Sequence, residues 1–440
     1  ADVPDGRRAA DEDRFDVPHH AGEGSPIAAQ GTVFFGHYRP SGDVYDKYIA
    51  HRRLEKTQAE LRAQKKSPVN GQVFKHERWL IGATDVLTAI DAETGKTLWE
   101  TDLGDDGLNI NIGTKGGFGV TPAYDDGKVF FLGTGGHLYA VDASDGKLLW
   151  TSDIGERTLM QQYYRRMAES GATYAPRFRS AFLTAVAASQ GVVLVSDEIF
   201  HRVNLGMGQD YHYDRRNGVM AFDADTGRRL WHREEVGGFT LWEHKGKPYV
   251  LTTGHEGTRL FEQRSGREFW HHPEVLHEAN QTFGPAISQD HLVVFEPDTG
   301  HPVAYKIQLK GLKREWKVEA KARGNFLIVG ELGYAATADQ LLAIDMDSGR
   351  IRGERDYRGA SSVSGNPYLL AAGDWILAPA TGRGVSGVRF FPRHPEHFDD
   401  RPGLLEVEAS TGYEVSILPA IGARHLFLRS DFAFQAFQLP

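Results

Sequence analysis

The sequence predicts an all-β propeller, and three observations support this prediction. A motif made of an apolar strand, an acidic turn with a glycine and a second strand ending in tryptophan recurs along the chain. The closest copies give a unit of about 40 residues. One such unit, 120–154, contains four short strands with alternating apolar residues. Repeated four-stranded antiparallel sheets of this period are typical of propeller blades.

Composition and charge restrict the class of protein. The 440 residues include no cysteine, which excludes a disulfide framework, a thiolate zinc site, a cysteine nucleophile and covalently attached haem. No stretch approaches the roughly 18 apolar residues that a membrane helix needs. The net charge of −9 argues against a general nucleic-acid binder. We therefore expect a soluble globular protein with no transmembrane segment and no nucleic-acid partner.

The repeated motif reads as a β-hairpin. Its glycine can adopt a positive φ in the turn, and the acidic residue before the turn can accept hydrogen bonds from the backbone N–H groups of the turn. Seven turn glycines mark the copies: Gly95, Gly146, Gly227, Gly266, Gly311, Gly349 and Gly412. The first four copies place tryptophan four residues after the glycine, the fifth shifts it by one, and the last two have lost it.

The order of alanine, aspartate, threonine-glycine and tryptophan in these copies resembles the repeat of pyrroloquinoline-quinone (PQQ)-type, quinoprotein-like propellers over nearly the whole chain. The resemblance implies that each tryptophan docks between neighbouring blades. Together with a processed-looking N-terminus at Ala1, it also implies a periplasmic or secreted protein.

The redox activity of that family is not expected to carry over. Quinoprotein dehydrogenases of this type commonly stack the cofactor on a vicinal disulfide, which a cysteine-free chain cannot form. No segment matches their calcium ligands or their catalytic aspartate. The 19 histidines could supply a copper or zinc site, but they show no repeated ligand spacing. We therefore expect no cofactor, PQQ included, and leave a structural or catalytic divalent metal open.

The blade count depends on the two ends of the chain. Residues 423–439 contain strands like the middle of a unit but stop before the hairpin is complete. Residues 14–18 precede the first inner strand and could supply the missing outer strand, which would close a ring of eight blades. Seven blades is the alternative, if the C-terminal strands only cap the seventh unit. We predict a single propeller domain, 1–440, with eight blades.

Long insertions are expected on one face of the propeller, because each falls between the second and third strands of a unit or between units. The insertions are 37–66, 155–180, 197–216 and 383–402. Two of them contain segments with helical patterns, 45–66 and 157–171. The first, second and fourth insertions together hold 17 basic against 9 acidic residues. This excess favours an anionic or sugar-like ligand on that face.

The candidate catalytic residues lie where these insertions begin or on connections that lead towards the axis. His37, Tyr38 and Arg39 could serve as base, acid and carboxylate clamp in a β-elimination or in sugar hydrolysis. Arg179 and His277 are expected to join them. Residues expected to bind the substrate are His19, His20, Tyr45, Lys115, Arg177, Gln281 and Arg358. Ordinary turn packing or surface exposure is the structural alternative for each.

Three functions from different classes are compatible with the sequence. The first is an extracytoplasmic polysaccharide lyase or glycosidase that binds a glycan. A non-catalytic binding or assembly scaffold is the second, and a divergent quinone- or metal-dependent oxidoreductase is the third. Long insertions with aromatic and basic clusters favour the first function, because short loops are expected of a scaffold.

Overall fold

The fold was analysed in a computed structural model. It describes residues 25–40, 78–112, 121–133, 136–154, 178–182, 185–204, 209–234, 238–254, 257–276, 284–356, 368–382, 385–398, 403–407, 419–429 and 434–439. These residues form eight antiparallel sheets whose strands are numbered in chain order. The chain is therefore an all-β propeller of eight four-stranded blades, of which the last has three described strands. The predicted fold class is confirmed, and the alternative of seven blades is wrong.

The first three sheets contain strands β1 to β13. The first sheet is β1 (Ile27–Ala29), β2 (Thr32–Pro40), β3 (Arg78–Asp91) and β4 (Thr97–Ile112). The second is β5 (Ala123–Asp125), β6 (Lys128–Leu132), β7 (His137–Asp142) and β8 (Leu148–Asp153). The third is β9 (Phe178–Phe182), β10 (Ala185–Ser189), β11 (Val192–Asn204), β12 (Gln209–Asp223) and β13 (Arg229–Arg233). In the third sheet β9 is an additional strand that pairs with β11.

The next three sheets have short, regular strands. The fourth sheet is β14 (Phe239–His244), β15 (Lys247–Gly254), β16 (Gly257–Glu262) and β17 (Glu268–His272). The fifth is β18 (Ala286–Ser288), β19 (His291–Phe295), β20 (Pro302–Gln308) and β21 (Gly311–Lys317). The sixth is β22 (Arg323–Val329), β23 (Leu332–Ala336), β24 (Gln340–Asp345) and β25 (Ile351–Asp356).

The last two sheets complete the chain. The seventh is β26 (Leu370–Ala372), β27 (Trp375–Gly382), β28 (Val385–Pro392) and β29 (Gly403–Val407), with a 3₁₀ turn at Pro395–His397. The eighth is β30 (Ala420–Gly422), β31 (His425–Arg429) and β32 (Phe434–Gln438). The chain divides into two compact units, residues 1–229 with 417–440 and residues 230–416.

The acidic residue of the repeat organises the turn that follows it. Asp91 accepts from the backbone N–H of Thr94 at 2.7 Å and from the hydroxyl of Thr94 at 2.7 Å. Gly95 then adopts a φ of +70°, which an L side chain rarely adopts. The hydrogen bonds from Thr94 hold the pKa of Asp91 below its usual value. The aspartate of the repeat therefore stabilises the turn that follows it.

The repeat tryptophans connect neighbouring sheets. In the first unit, the indole Nε1 of Trp99 donates to the carbonyl of Ala143 and that of Trp150 donates to the carbonyl of Ala224, both at 3.0 Å. The same bond recurs in the second unit from Trp231, Trp270 and Trp316. Each indole thus joins its own sheet to the outer hairpin of the next one. The docking of tryptophan between blades is confirmed.

The sixth sheet replaces the missing tryptophan with a residue from the next sheet. Gly353 stands four residues after Gly349, where the earlier copies have tryptophan. A Cβ on Gly353 would lie 2.9 Å from the Cβ of Pro395 and 3.2 Å from Cδ2 of Phe398. Phe398 is buried, so its ring and Pro395 fill the space above Gly353. The sequence does not predict this replacement, because Gly353 and Phe398 lie far apart in the chain.

The seventh sheet differs from the expected hairpin. Residues 383–402 are predicted as an insertion, whereas Val385–Pro392 of this range form the third strand of the sheet. The outer strand, Gly403–Val407, ends before Gly412. The predicted turn at Gly412 therefore does not connect the third and outer strands of this sheet. The 3₁₀ segment that supplies Phe398 takes the place of a short Gly-containing turn.

The first and last sheets pack against each other within the first unit. A Cβ on Gly422 would lie 2.6 Å from the Cβ of Ala28, and Phe427 is buried in one cluster with Val33 and Phe35. This contact between the C-terminal sheet and the first sheet brings the two ends of the repeat together. The predicted pairing of residues 14–18 lies outside the described residues, as do the predicted helical segments 45–66 and 157–171.

Candidate functional site

The third strands of the first three sheets, β3, β7 and β12, differ strongly in length, although each ends at the aspartate of its repeat turn. Strand β7 has 6 residues, whereas β3 has 14 and β12 has 15. At about 3.4 Å per residue, the additional eight or nine residues correspond to roughly 30 Å of strand. We call the added parts the first-sheet extension (residues 37–40, 78–85 and 104–112) and the third-sheet extension (residues 178–182, 198–204 and 209–216).

Two polar side chains are buried at the base of the first-sheet extension. His37 is 2% exposed and Asp85 is 1% exposed. The imidazole lies 5.8 Å from the ring of Phe35, which belongs to the cluster shared with the eighth sheet. The Asp85 carboxylate lies on the side of the second sheet, since its Oδ2 is 2.6 Å from where a Cβ on Gly133 would stand. His37 and Asp85 therefore face different neighbouring sheets.

Arg39 is engaged within its own sheet. Its guanidinium forms an ion pair with Asp102 and lies 3.7 Å from the carboxylate of Glu100. The hydroxyl of Thr88 donates to Glu100 at 3.4 Å. Because the Arg39 side chain is 33% exposed and faces two carboxylates, its charge is compensated before any ligand arrives. A ligand carboxylate would have to compete with Asp102 and Glu100 for this arginine.

The register of the third-sheet extension aligns basic and aromatic residues. Arg202 of β11 pairs with Tyr211 of β12 on one side and with Arg179 of β9 on the other. In the neighbouring row of the same face, Phe200 pairs with Tyr213. Residues directly opposite one another in antiparallel strands lie on the same face of a sheet. Of these three residues only Arg179 is a predicted site residue, because its pairing with Arg202 depends on an extra strand, β9, that the sequence does not predict.

Most of the predicted site residues cannot be placed. His19, His20, Tyr45, Lys115, Arg177, His277, Gln281 and Arg358 lie outside the described residues. Tyr38 lies in β2 opposite Asp85, and only its backbone position is described. The roles predicted for all of these residues, and for His37, Arg39 and Arg179, stay predictions. Of the range 197–216, expected as an insertion, residues 197–204 and 209–216 form the outer parts of β11 and β12.

A metal or cofactor site needs several donor side chains that converge on one point. Within the described ranges, no three His, Asp or Glu side chains come together in a way that could hold a metal ion. The repeat aspartates are bound within their own turns; for example, Asp142 and Asp345 accept from Ser144 and Ser348. The part of the chain that the structure describes therefore does not present the donor set of a metal centre.

A family model described as outer membrane protein assembly factor BamB, built on the PQQ repeat, matches residues 83–352. The chain belongs to this family. The matched range contains the glycine and tryptophan turns that join the sheets, so membership rests on the residues that organise the fold. The predicted resemblance to PQQ-type propellers is confirmed.

Curated relatives of the chain are dehydrogenases of alcohols. The dehydrogenase subunit of alcohol dehydrogenase (quinone) from Gluconobacter oxydans is 30% identical over 189 residues, which cover 42% of this chain and 20% of that protein. Polyvinylalcohol dehydrogenase from Sphingopyxis sp. is 31% identical over 170 residues, covering 34% of this chain and 23% of that protein. The chain thus spans about a fifth of the length of the curated relatives it matches.

A solved structure supports the fold alone. The computationally designed Ika8 protein superposes with a TM-score of 0.52 at 12% identity, over 82% of this chain and 93% of that chain. In the described part of the chain, no helix is long and apolar enough to cross a membrane.

Two predictions are corrected by these relatives. The predicted function as a polysaccharide lyase or glycosidase is wrong. The matching family model is described as an assembly factor, and curated relatives are quinone-dependent alcohol dehydrogenases. The expectation of no cofactor is also wrong, because curated relatives of the chain are quinone-dependent alcohol dehydrogenases. That expectation relied on the missing cysteines and on the absence of a match to the calcium ligands.

Proposed function

We propose that the chain is a binding scaffold of the BamB-like kind and that a partner protein docks on the first-sheet and third-sheet extensions. The observation that carries this proposal is the difference in strand length within the first unit. Two sheets continue roughly 30 Å beyond the short second sheet. Strand length beyond the neighbouring sheet gives a partner additional surface to contact, so the extensions are the proposed docking region.

The residues of the third-sheet extension support a protein partner. Arg179, Arg202 and Tyr211 share one row, and Phe200 pairs with Tyr213 in the next. Arginine, tyrosine and phenylalanine are enriched where proteins contact one another, because they combine large contact areas with polar groups. Extended strands also offer backbone groups to which a partner strand can be added.

A periplasmic or secreted location is part of this proposal. The family is described as an assembly factor for outer membrane proteins, and that process takes place outside the cytoplasm. The cysteine-free composition is compatible with that compartment but does not require it.

Photo-crosslinking in cells of the source organism tests the proposal. A benzoylphenylalanine placed at Tyr211 should yield a discrete crosslinked protein. The matched control is Leu149, which is 41% exposed on the outer strand of the short second sheet. Crosslinks from Tyr211 and none from Leu149 support docking on the extension. Equal crosslinking from both positions, or none from the extension, contradicts it.

A quinone-dependent oxidoreductase is the second candidate, and the similarity to two dehydrogenases favours it. PQQ would supply the hydride- or electron-accepting group when bound. The test is reconstitution of the purified protein with PQQ and calcium, followed by dye-linked oxidation of primary alcohols. Turnover that depends on added quinone would establish this second function, and its absence under conditions that activate a known relative would remove it.

A further inference from the structure

His272 connects the fourth and fifth sheets through its ring. It is the last residue of β17 in the fourth sheet. Its Nδ1 lies 2.8 Å from Oε1 of Glu274, and its Nε2 accepts a hydrogen bond from the backbone N–H of Leu312 at 3.2 Å. Leu312 is in β21 of the fifth sheet. One imidazole therefore bridges a carboxylate next to its own strand and a backbone donor of the next sheet.

This geometry fixes the protonation state of the ring. A backbone N–H can only donate, so Nε2 must carry a lone pair and the proton must reside on Nδ1, where it is donated to Glu274. A protonated imidazole has two donors and no acceptor. Rotating the ring does not restore the bond, because both nitrogens then carry protons.

We propose that His272 is a proton-controlled latch between the fourth and fifth sheets. The neutral ring holds the Leu312 amide, and the protonated ring releases it. The inference is independent of the proposed scaffold function, because it concerns contacts within residues 230–416 only.

The groups around the ring allow protonation to occur. Glu274 is ionised over the range in which histidine titrates, because its hydrogen bond to His272 lowers the pKa of Glu274 below its usual value. The imidazole is 27% exposed, so solvent protons reach it. His271 acts on Glu274 through space, and Tyr305 lies within reach of the charges of Glu274, Arg314 and Glu296.

The release is local because a second bond between the same sheets does not depend on pH. The indole Nε1 of Trp270 donates to the carbonyl of Gln308 at 2.9 Å. Gly311 lies directly against the ring, since a Cβ there would stand 3.0 Å from Nε2 of His272. Protonation therefore releases the Leu312 amide from the fourth sheet, while β21 stays paired with β20 and the end of β20 stays bonded to Trp270. The turn between β20 and β21 carries Leu309, which is 37% exposed.

A second histidine at the same pair of sheets provides a matched control. Nδ1 of His244 lies 3.2 Å from Oδ1 of Asp290, which belongs to the first turn of the fifth sheet. Protonation strengthens such an ion pair, whereas it breaks the bond from Leu312. Protonation of His272 therefore weakens one contact between the fourth and fifth sheets, whereas protonation of His244 strengthens another.

Residue-resolved hydrogen exchange of the full chain tests the latch. After correction for intrinsic exchange, the protection of the Leu312 amide should fall by about fivefold or more between pH 8 and pH 5, as expected for one lost hydrogen bond. His272→Gln keeps a neutral acceptor at similar reach, so its Leu312 amide should keep constant protection over this range. His244→Gln should behave like the wild type at Leu312.

Two results overturn the proposal. One is a Leu312 protection factor in the wild type that does not change between pH 8 and pH 5, or that falls equally in His272→Gln. The other comes from the ¹⁵N shifts of the imidazole at pH 8, which should report a proton on Nδ1. A proton on Nε2 would contradict the latch, whatever the exchange data show.

Discussion

The indole Nε1 of Trp316 donates to the carbonyl of Met346 at 2.6 Å, and its ring lies against Gly349 in the same turn. A Cβ on Gly349 would stand 2.7 Å from Cγ of this indole. Two features therefore require glycine at position 349. Its φ of +69° is one that side chains disfavour, and the Trp316 ring leaves no space for a Cβ.

Gly349→Ala should destabilise the second unit more than backbone strain alone explains. Gly330→Ala is the matched control, because Gly330 has a φ of +63° and nothing within 4 Å of an added Cβ. The control should lose about 1–2 kcal/mol of unfolding free energy, the usual cost of a left-handed residue. Gly349→Ala should lose about 1–3 kcal/mol more through overpacking. Equal losses in urea unfolding would contradict the close contact with Trp316.

In the sixth sheet Phe398 occupies the space of the missing repeat tryptophan, so substitutions at Gly353 and Phe398 should have coupled effects on stability. Gly353→Trp restores the repeat residue but meets Pro395 and Phe398, so it should destabilise the protein by about 1–3 kcal/mol. Phe398→Ala should cost about 3–5 kcal/mol, because it empties a buried site. The double variant should be more stable than the sum of the single effects predicts. Additivity within about 0.5 kcal/mol would mean that the two side chains do not compete for one space.

Much of the fold follows from the sequence because the repeat is local. An aspartate, a glycine and a tryptophan within one hairpin specify the turn and the contact to the next sheet, as Asp91, Gly95 and Trp99 show. The loss of tryptophan at Gly353 is not explained by the sequence, since the replacement by Phe398 is a contact between distant residues.

The site is harder to predict for a similar reason. The third-sheet extension reads as a polar insertion, because His201, Arg202 and Tyr211 do not alternate clearly between apolar and polar residues. Pairing with β9 and β12 makes it a sheet. The sequence shows the residue type at His37 but does not predict its burial beside Phe35, because that burial depends on contacts with the eighth sheet.

The repeat aspartates predict how stability depends on acid. The hydroxyl of Ser348 donates to Asp345 at 2.7 Å and lowers the pKa of Asp345 in the folded protein. A lowered folded pKa contributes stability above the unfolded value of about 3.9, and this stability is lost as the pH falls through the folded pKa. Asp345→Asn should therefore unfold with a weaker pH dependence below pH 4.

The control for this variant is Asp347→Asn, which removes an equal charge from the same turn. It should keep the wild-type dependence on acid, because Asp345 remains hydrogen-bonded. The measurement is urea unfolding at several pH values between about 2 and 6. An unchanged pH dependence in Asp345→Asn would show that this turn does not contribute to acid sensitivity.

Shortening the third-sheet extension tests the scaffold proposal most directly. Residues 198–217 are replaced by Asn-Gly, which joins the paired residues Asp197 and Gly218 through a two-residue hairpin turn. The buried residues Val193, Val195, Met220 and Phe222 stay in place, so the melting temperature should change by no more than about 2 °C. With the crosslinker moved to Arg179, the discrete crosslinked partner should disappear, whereas the full-length chain labelled at Arg179 should retain it. A partner that crosslinks equally to the shortened and full-length chains would contradict the proposed docking on this extension.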